Sequence, residues 1–67
     1  MISKKQAKEI AKDSVSGNRL FRNPDTHVFS EDDKLIVIEL SAEKAEDITY
    51  RVKIDKKKRK VLEIERI

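Results

Sequence analysis

Five adjacent basic residues are the most prominent chemical feature of this 67-residue chain. They run from Lys56 through Lys57, Lys58 and Arg59 to Lys60. Such a cluster could contact phosphates, which supply most of the non-specific affinity of proteins for nucleic acids. Lysines at the tip of a hairpin also keep sheet edges from pairing with other chains, and that role needs no ligand. The run is therefore a candidate anion or nucleic-acid contact, with a solvated turn as the competing interpretation.

The other polar residues show no pattern typical of catalysis or metal binding. His27 is the only histidine and the chain has no cysteine, so no second histidine and no cysteine can complete a metal-binding site with it. The acidic stretch 31–33 lacks the ligand spacing of a calcium loop. Ser14 and Ser16 have no histidine nearby in sequence, and Gly17 alone cannot form a phosphate-binding loop. We therefore expect no enzyme, no catalytic or metal-binding residue and no cofactor.

Charge is unevenly distributed along the chain, although the net charge is only +3. Residues 31–47 include seven acidic and two basic residues, whereas residues 51–60 include seven basic residues and one acidic residue. A molecule polarised in this way can orient a partner through its field. The simpler interpretation is that both blocks are solubilising turns.

The length predicts one small domain, residues 1–67. A chain this short buries only about 60% of the surface that its unfolded form exposes, and without cysteine no disulfide can add stability. No apolar run approaches the roughly 20 residues of a membrane span, and the first residues lack the apolar core of a signal peptide. We expect a soluble protein, cytoplasmic as the sequence stands and extracytoplasmic if a signal has been removed.

The first predicted element is a helix that begins after Ser3. Ser3 and Gln6 have the spacing of a capping box, and Gly17 could end the helix in a left-handed conformation. Leu20 and Phe21 are expected at the edge of the core. The small and apolar residues that recur at helical spacing predict close docking onto a sheet: they are Ala7, Ile10, Ala11, Ser14 and Val15.

Four strands are predicted to follow the helix. The segment 41–47 is either one helical turn begun by Ser41 or an acidic loop, and the stretches 31–33 and 56–60 are turns. The fold class is therefore α+β, with one N-terminal helix packed on a four-stranded antiparallel meander sheet. Alternation of apolar and polar residues places the strands at 26–30, 34–40, 50–55 and 61–67.

The final hairpin has the clearest alternation. Arg51 and Lys53 are expected across from Glu63 and Glu65 on the outer face, where opposite charges stabilise the register by roughly a few tenths of a kcal/mol each. The residues expected to face the helix are Tyr50, Val52, Ile54, Leu62 and Ile64.

Several apolar residues are expected mainly on the face of the sheet away from the helix. Clustered there, they would form a patch suited to a protein partner or to a second copy. The sequence leaves a homodimer, docking onto a neighbouring domain and a monomer open. The candidate interface residues are Leu35, Val37, Val61 and Ile67.

Both ends of the chain carry short motifs. Ile2-Ser3 is followed by Ala7, Ile10 and Ala11 in the helix, and the hairpin carries Tyr50, Val52, Ile54, Asp55, Val61, Leu62 and Ile64. These motifs resemble the first helix and the last hairpin of PepSY domains. The glycine of the PepSY hairpin turn is replaced within Lys57-Lys58-Arg59, so the turn must be longer or built differently.

The resemblance implies a non-enzymatic protein-interaction domain. PepSY domains are associated with propeptides of secreted metallopeptidases and with cell-envelope proteins, so the implied role is a modulator or inhibitor of a peptidase that contacts its partner through a sheet face or an edge strand. The alternative is a small basic nucleic-acid-binding protein that uses residues 56–60. Against it, only three aromatic residues could stack on bases. A structural module of a larger assembly is the third hypothesis.

Overall fold

The described residues of the chain form one helix packed on one sheet. The computed structural model describes residues 2–15, 24–42 and 45–67, the last range without the side chains of 45–47. The strands form a single antiparallel sheet in the order β1-β2-β3-β4. The predicted α+β class and the meander are confirmed. The elements are α1 (Lys4–Ser14), β1 (Asp25–Glu31), β2 (Leu35–Ala42), β3 (Ala45–Asp55) and β4 (Lys60–Arg66).

The helix begins at the predicted capping box. The Gln6 backbone N–H donates to Ser3 Oγ at 3.2 Å, and the Ser3 backbone N–H donates to Gln6 Oε1 at 3.0 Å. Ala7 and Ala11 are 0% exposed, because their small side chains let the helix backbone approach the sheet closely. The expectations for Gly17, Leu20 and Phe21 lie outside the described residues. In the described ranges, no helix has the length and apolar character of a membrane span.

The core lies between α1 and the central strands β2 and β3. Every second residue of these strands faces the helix, as the pleat of a strand requires. Burying each large aliphatic side chain stabilises the fold by about 1.5–3 kcal/mol relative to leaving it exposed. The largest fully buried side chains are Ile36, Ile38, Leu40, Val52 and Ile54.

The segment 41–47 belongs largely to the sheet. Strand β2 continues to Ala42, where Ala42 pairs with Ala45 and Ser41 pairs with Thr49. A helical turn begun by Ser41 is therefore wrong, since Ser41 has strand pairing. Residues 43 and 44 lie outside the described part of the chain.

Strand β4 departs from the predicted alternation. Lys53 pairs with Glu63 while Ile54 pairs with Val61, which leaves Leu62 as the extra residue of a β-bulge. The bulge turns Val61 toward the core, where it is partly buried. Leu62 is 51% and Ile64 is 45% exposed. The prediction that these two residues are buried against the helix is wrong: Leu62 is displaced by the bulge, and Ile64 lies on the helix side of the edge strand β4 but is left exposed there.

Candidate interaction surface

The basic run is divided between one buried and four exposed cations. Lys56 is 7% exposed, and its Nζ donates to Glu31 Oε2 at 2.7 Å and to the Asp32 carbonyl at 2.9 Å. The hydrogen bond from Lys56 lowers the pKa of Glu31. Lys56 therefore ties the last turn to the turn after β1 and is not available to an anion. The cations left for such a contact are Lys57, Lys58, Arg59 and Lys60.

Asp55 organises the turn that carries these cations. Its Oδ1 accepts hydrogen bonds from the backbone N–H groups of Lys57 and Lys58, each at 2.9 Å. The backbone hydrogen bond from Lys58 is the main cause of the lowered pKa of the Asp55 carboxyl. Arg59 adopts a left-handed φ of 56° and donates its N–H to the Asp55 carbonyl at 2.9 Å. The left-handed position that favours glycine is thus occupied by arginine, and a carboxylate lies among the lysines.

The outer face of the sheet carries a charged network. Glu39 on β2 accepts from Arg51 Nε at 3.0 Å and lies 3.0 Å from His27 Nε2. The Arg51 guanidinium stacks over Phe29, with 3.8 Å from Cζ to the ring centroid, a favourable cation–π distance. His27 therefore contacts a carboxylate at the surface of the sheet.

The predicted cross-strand charge pairs are confirmed. Arg51 pairs with Glu65 and Lys53 pairs with Glu63 in the β3–β4 register, and Lys53 Nζ lies 3.5 Å from Glu63 Oε2. Together these side chains border a shallow groove of about 180 Å³ on the outer face. Its lining is formed by Phe29, Val37, Arg51, Lys53, Glu63 and Glu65.

The four residues predicted as an interface do not form one patch. Leu35 and Val37 are half-buried and lie on the outer face, but Val61 packs against the core on the helix side. Ile67 donates its N–H to the Thr49 carbonyl. Thr49 lies six residues along β3 from the pairing partner of Leu35, so Ile67 and Leu35 are about 20 Å apart at strand spacing. Whether any of the four contacts a partner stays a prediction.

The exposed apolar side chains gather instead on β4. Within the described ranges, the exposed large hydrophobic residues are Phe29, Leu62, Ile64 and Ile67, three of which belong to β4 or follow it directly. Sequence reasoning missed this edge because it assigned Leu62 and Ile64 to the core. The available signal was positional, since the last strand of a meander is an edge strand whose apolar residues a single helix need not cover.

Strand β4 also offers backbone hydrogen-bonding groups. The Ile67 N–H bonds to the Thr49 carbonyl, so the neighbouring pair Tyr50–Arg66 is a non-hydrogen-bonded pair of the antiparallel ladder. Alternation makes Glu63 and Glu65 the residues that bond to β3. The N–H and C=O groups of Ile64 and Arg66 consequently point away from the sheet, toward the open edge.

Known proteins give no guide to the function of this chain. Models of protein families, curated proteins and solved structures gave no match to the chain. Within the part of the chain that the structure describes, no three acidic or histidine side chains are grouped to hold a metal ion. The surface best suited to binding is the β4 edge, where apolar side chains and outward backbone groups coincide.

Proposed function

We propose that this protein is a non-enzymatic interaction domain that binds a protein partner along the β4 edge. The observation that carries the proposal is the exposure of Leu62 and Ile64, 51% and 45%, on an edge strand. A domain this small has little apolar surface to spare for its own core, so large aliphatic side chains left outside it favour a second role.

The mode of binding that suits this edge is strand addition. An extended segment of the partner would bond to the outward N–H and C=O groups of Ile64 and Arg66 and cover the exposed apolar side chains of β4. Main-chain bonds supply affinity in such complexes, and alternate side chains supply specificity. The bulge at Leu62 limits the usable edge to the regular stretch that follows it.

A photo-crosslinking experiment tests this function. Benzoylphenylalanine replaces Leu62 in one variant and, as the matched control, the exposed Lys5 of α1 in another. Irradiation in an extract of the host is expected to give a discrete protein adduct from position 62 and none from position 5. Adding Ile64→Pro, which removes an outward N–H without breaking a bond to β3, should abolish the adduct. Equal adducts at both positions, or one that survives the proline, would refute binding at β4.

The resemblance to PepSY domains extends the proposal to a peptidase as the partner. We expect the purified domain to lower peptide hydrolysis by a metallopeptidase secreted by the same host, and Ile64→Pro to weaken that effect. Unchanged hydrolysis across the host's secreted metallopeptidases would remove this extension and leave the interaction function standing.

Nucleic-acid binding is the second candidate, favoured by the four exposed cations of the last turn and the first residue of β4. It is weakened by Lys56, which is bonded to Glu31, and by the Asp55 carboxylate among the lysines. Titration with duplex DNA at two salt concentrations separates the candidates, because phosphate contacts give a steep salt dependence. We expect no binding at physiological salt. Binding that Lys57→Ser with Lys58→Ser removes would favour the nucleic-acid role.

A further inference from the structure

We infer that the partner's segment alternates basic and apolar residues, with its bases opposite Glu63 and Glu65 of β4. This inference rests on the proposed function, because it specifies the chemistry of the strand that adds to the β4 edge. The supporting observation is the order of charges across the outer face of the sheet.

Charges alternate in sign from strand to strand on that face. One row runs from Glu39 through Arg51 to Glu65, and each residue is the cross-strand partner of the next. A second row ends with Lys53 opposite Glu63. Both rows therefore finish on a carboxylate at the open edge. Glu63 is 60% exposed with its ion pair to Lys53 stretched to 3.5 Å, so a further base can reach it.

Apolar chemistry alternates with these acids along β4. Ile64 pairs with the buried Val52 and so lies on the helix side of the sheet, between the two glutamates that face outward. A strand added in antiparallel register would place a base opposite Glu65, an apolar residue opposite Ile64 and a base opposite Glu63. This pattern is the one that β3 presents to β4 from the other side, as Arg51, Val52 and Lys53.

A second copy of β4 does not satisfy this chemistry. Two-fold antiparallel pairing keeps residues of like parity opposite each other, and each register centred on residues 63–66 brings like charges together. A centre at Glu63 or at Glu65 opposes that glutamate to its own copy, a centre at Ile64 opposes Glu63 to Glu65, and a centre at Arg66 opposes Arg66 to its own copy. Like charges directly opposite destabilise a strand pair. The acids thus disfavour self-pairing while favouring a basic strand.

The other edge of a second copy is also a poor match. Strand β1 would meet β4 in antiparallel orientation if copies added head to tail, but its ionisable residues are Asp25, His27 and Glu31. One histidine and two acids do not supply two bases at alternate positions. Self-association through the β4 edge is therefore not expected, and self-association that Ile64→Pro abolishes would overturn the inference.

Two synthetic peptides test the inference directly. The first, TYRVKID, copies residues 49–55 and carries the alternating bases; the second, TYEVEID, is matched in length and apolar residues but has acids at the two basic positions. Each is labelled with fluorescein and titrated with the whole protein at low ionic strength while anisotropy is recorded. We expect saturable binding of the basic peptide and about tenfold weaker binding of the acidic one. Equal binding of both peptides, or binding of neither, would overturn the inference.

Variants of the protein locate the contact. Glu63→Lys with Glu65→Lys should reverse the preference, and Glu63→Gln with Glu65→Gln should remove it if the reversed variant does not fold. Ile64→Pro should abolish binding of the basic peptide, and circular dichroism checks that this variant is folded. If the folded variant still binds, the contact lies elsewhere and the inference is overturned. If neither peptide binds while the Leu62 adduct persists and depends on Ile64, the partner chemistry is wrong and the proposed function stands.

Discussion

At the scale of single residues, Lys56 shows that neighbours of identical type can have different roles. Its stem is buried and its ammonium bonds to Glu31, whereas Lys57 beside it is exposed. We expect Lys56→Ala to lower the free energy of unfolding by about 2 kcal/mol, chiefly through lost burial of the methylene stem. Lys57→Ala should stay within about 0.5 kcal/mol of the parent. Urea denaturation measures both, and equal effects would show that the burial of Lys56 contributes nothing.

Arg59 is a second residue for which a substitution is expected to change stability, in this case through its backbone conformation. Its φ of 56° is the only positive φ among the non-glycine residues in the described ranges, and side chains with a Cβ disfavour that region. Arg59→Gly is expected to raise the free energy of unfolding by about 0.5–1 kcal/mol. Lys58→Gly in the same turn should lower it by a similar amount, because glycine there adds only unfolded-state freedom. Denaturation curves in which Arg59→Gly also destabilises the fold would contradict this account.

At the scale of elements, the contact between α1 and the sheet depends on small side chains. Ala11 is 0% exposed and contacts the core cluster, so there is no room for a larger residue without displacing the helix. Ala11→Leu is expected to cost about 1–3 kcal/mol by overpacking. Lys12→Leu adds a comparable side chain at an exposed position of the same helix and should change stability by about 0.5 kcal/mol or less. Thermal melts that rank the two variants the other way would show that the helix packs differently.

The same elements show how far sequence reasoning extends. The capping box of Ser3 and Gln6, the alanine face of the helix and the pairing of Arg51 with Glu65 follow from periodicity, because each depends on contacts with regular spacing. The burial of Lys56 and the exposure of Leu62 do not. Both depend on where a turn ends and on a one-residue bulge, which change the direction of side chains without changing the alternation visible in the sequence. The candidate edge arises from the second of these departures.

At the scale of the whole molecule, one end of the sheet is stabilised by carboxylates. The two turns that follow β1 and β3 meet there, since the Lys56 N–H donates to the Lys34 carbonyl at 2.9 Å. Asp32 Oδ1 accepts from the backbone N–H groups of Leu35 and Lys34 at 2.7 and 2.8 Å, which lowers the pKa of Asp32. The pKa values of Asp55 and Glu31 are lowered in the same direction. Three carboxylates at one end are thus more acidic in the folded state than in the unfolded chain.

These shifts predict acid sensitivity of the whole fold. A carboxylate with a lowered folded pKa stabilises the fold at pH values above its unfolded pKa, and the stabilisation is lost as the pH falls through the folded value. With ordinary values of 4.5 for Glu and 3.8 for Asp, the urea midpoint should be level above about pH 5 and fall below it. Asp55→Asn should make the fall shallower, because one titrating hydrogen-bond acceptor is gone. Asp33→Asn is the control, because it removes a carboxylate from the turn after β1 without removing a described hydrogen bond. Its urea midpoint should fall with pH as steeply as that of the parent. Identical slopes for the parent and both variants would show that the Asp55 turn does not couple folding to protonation.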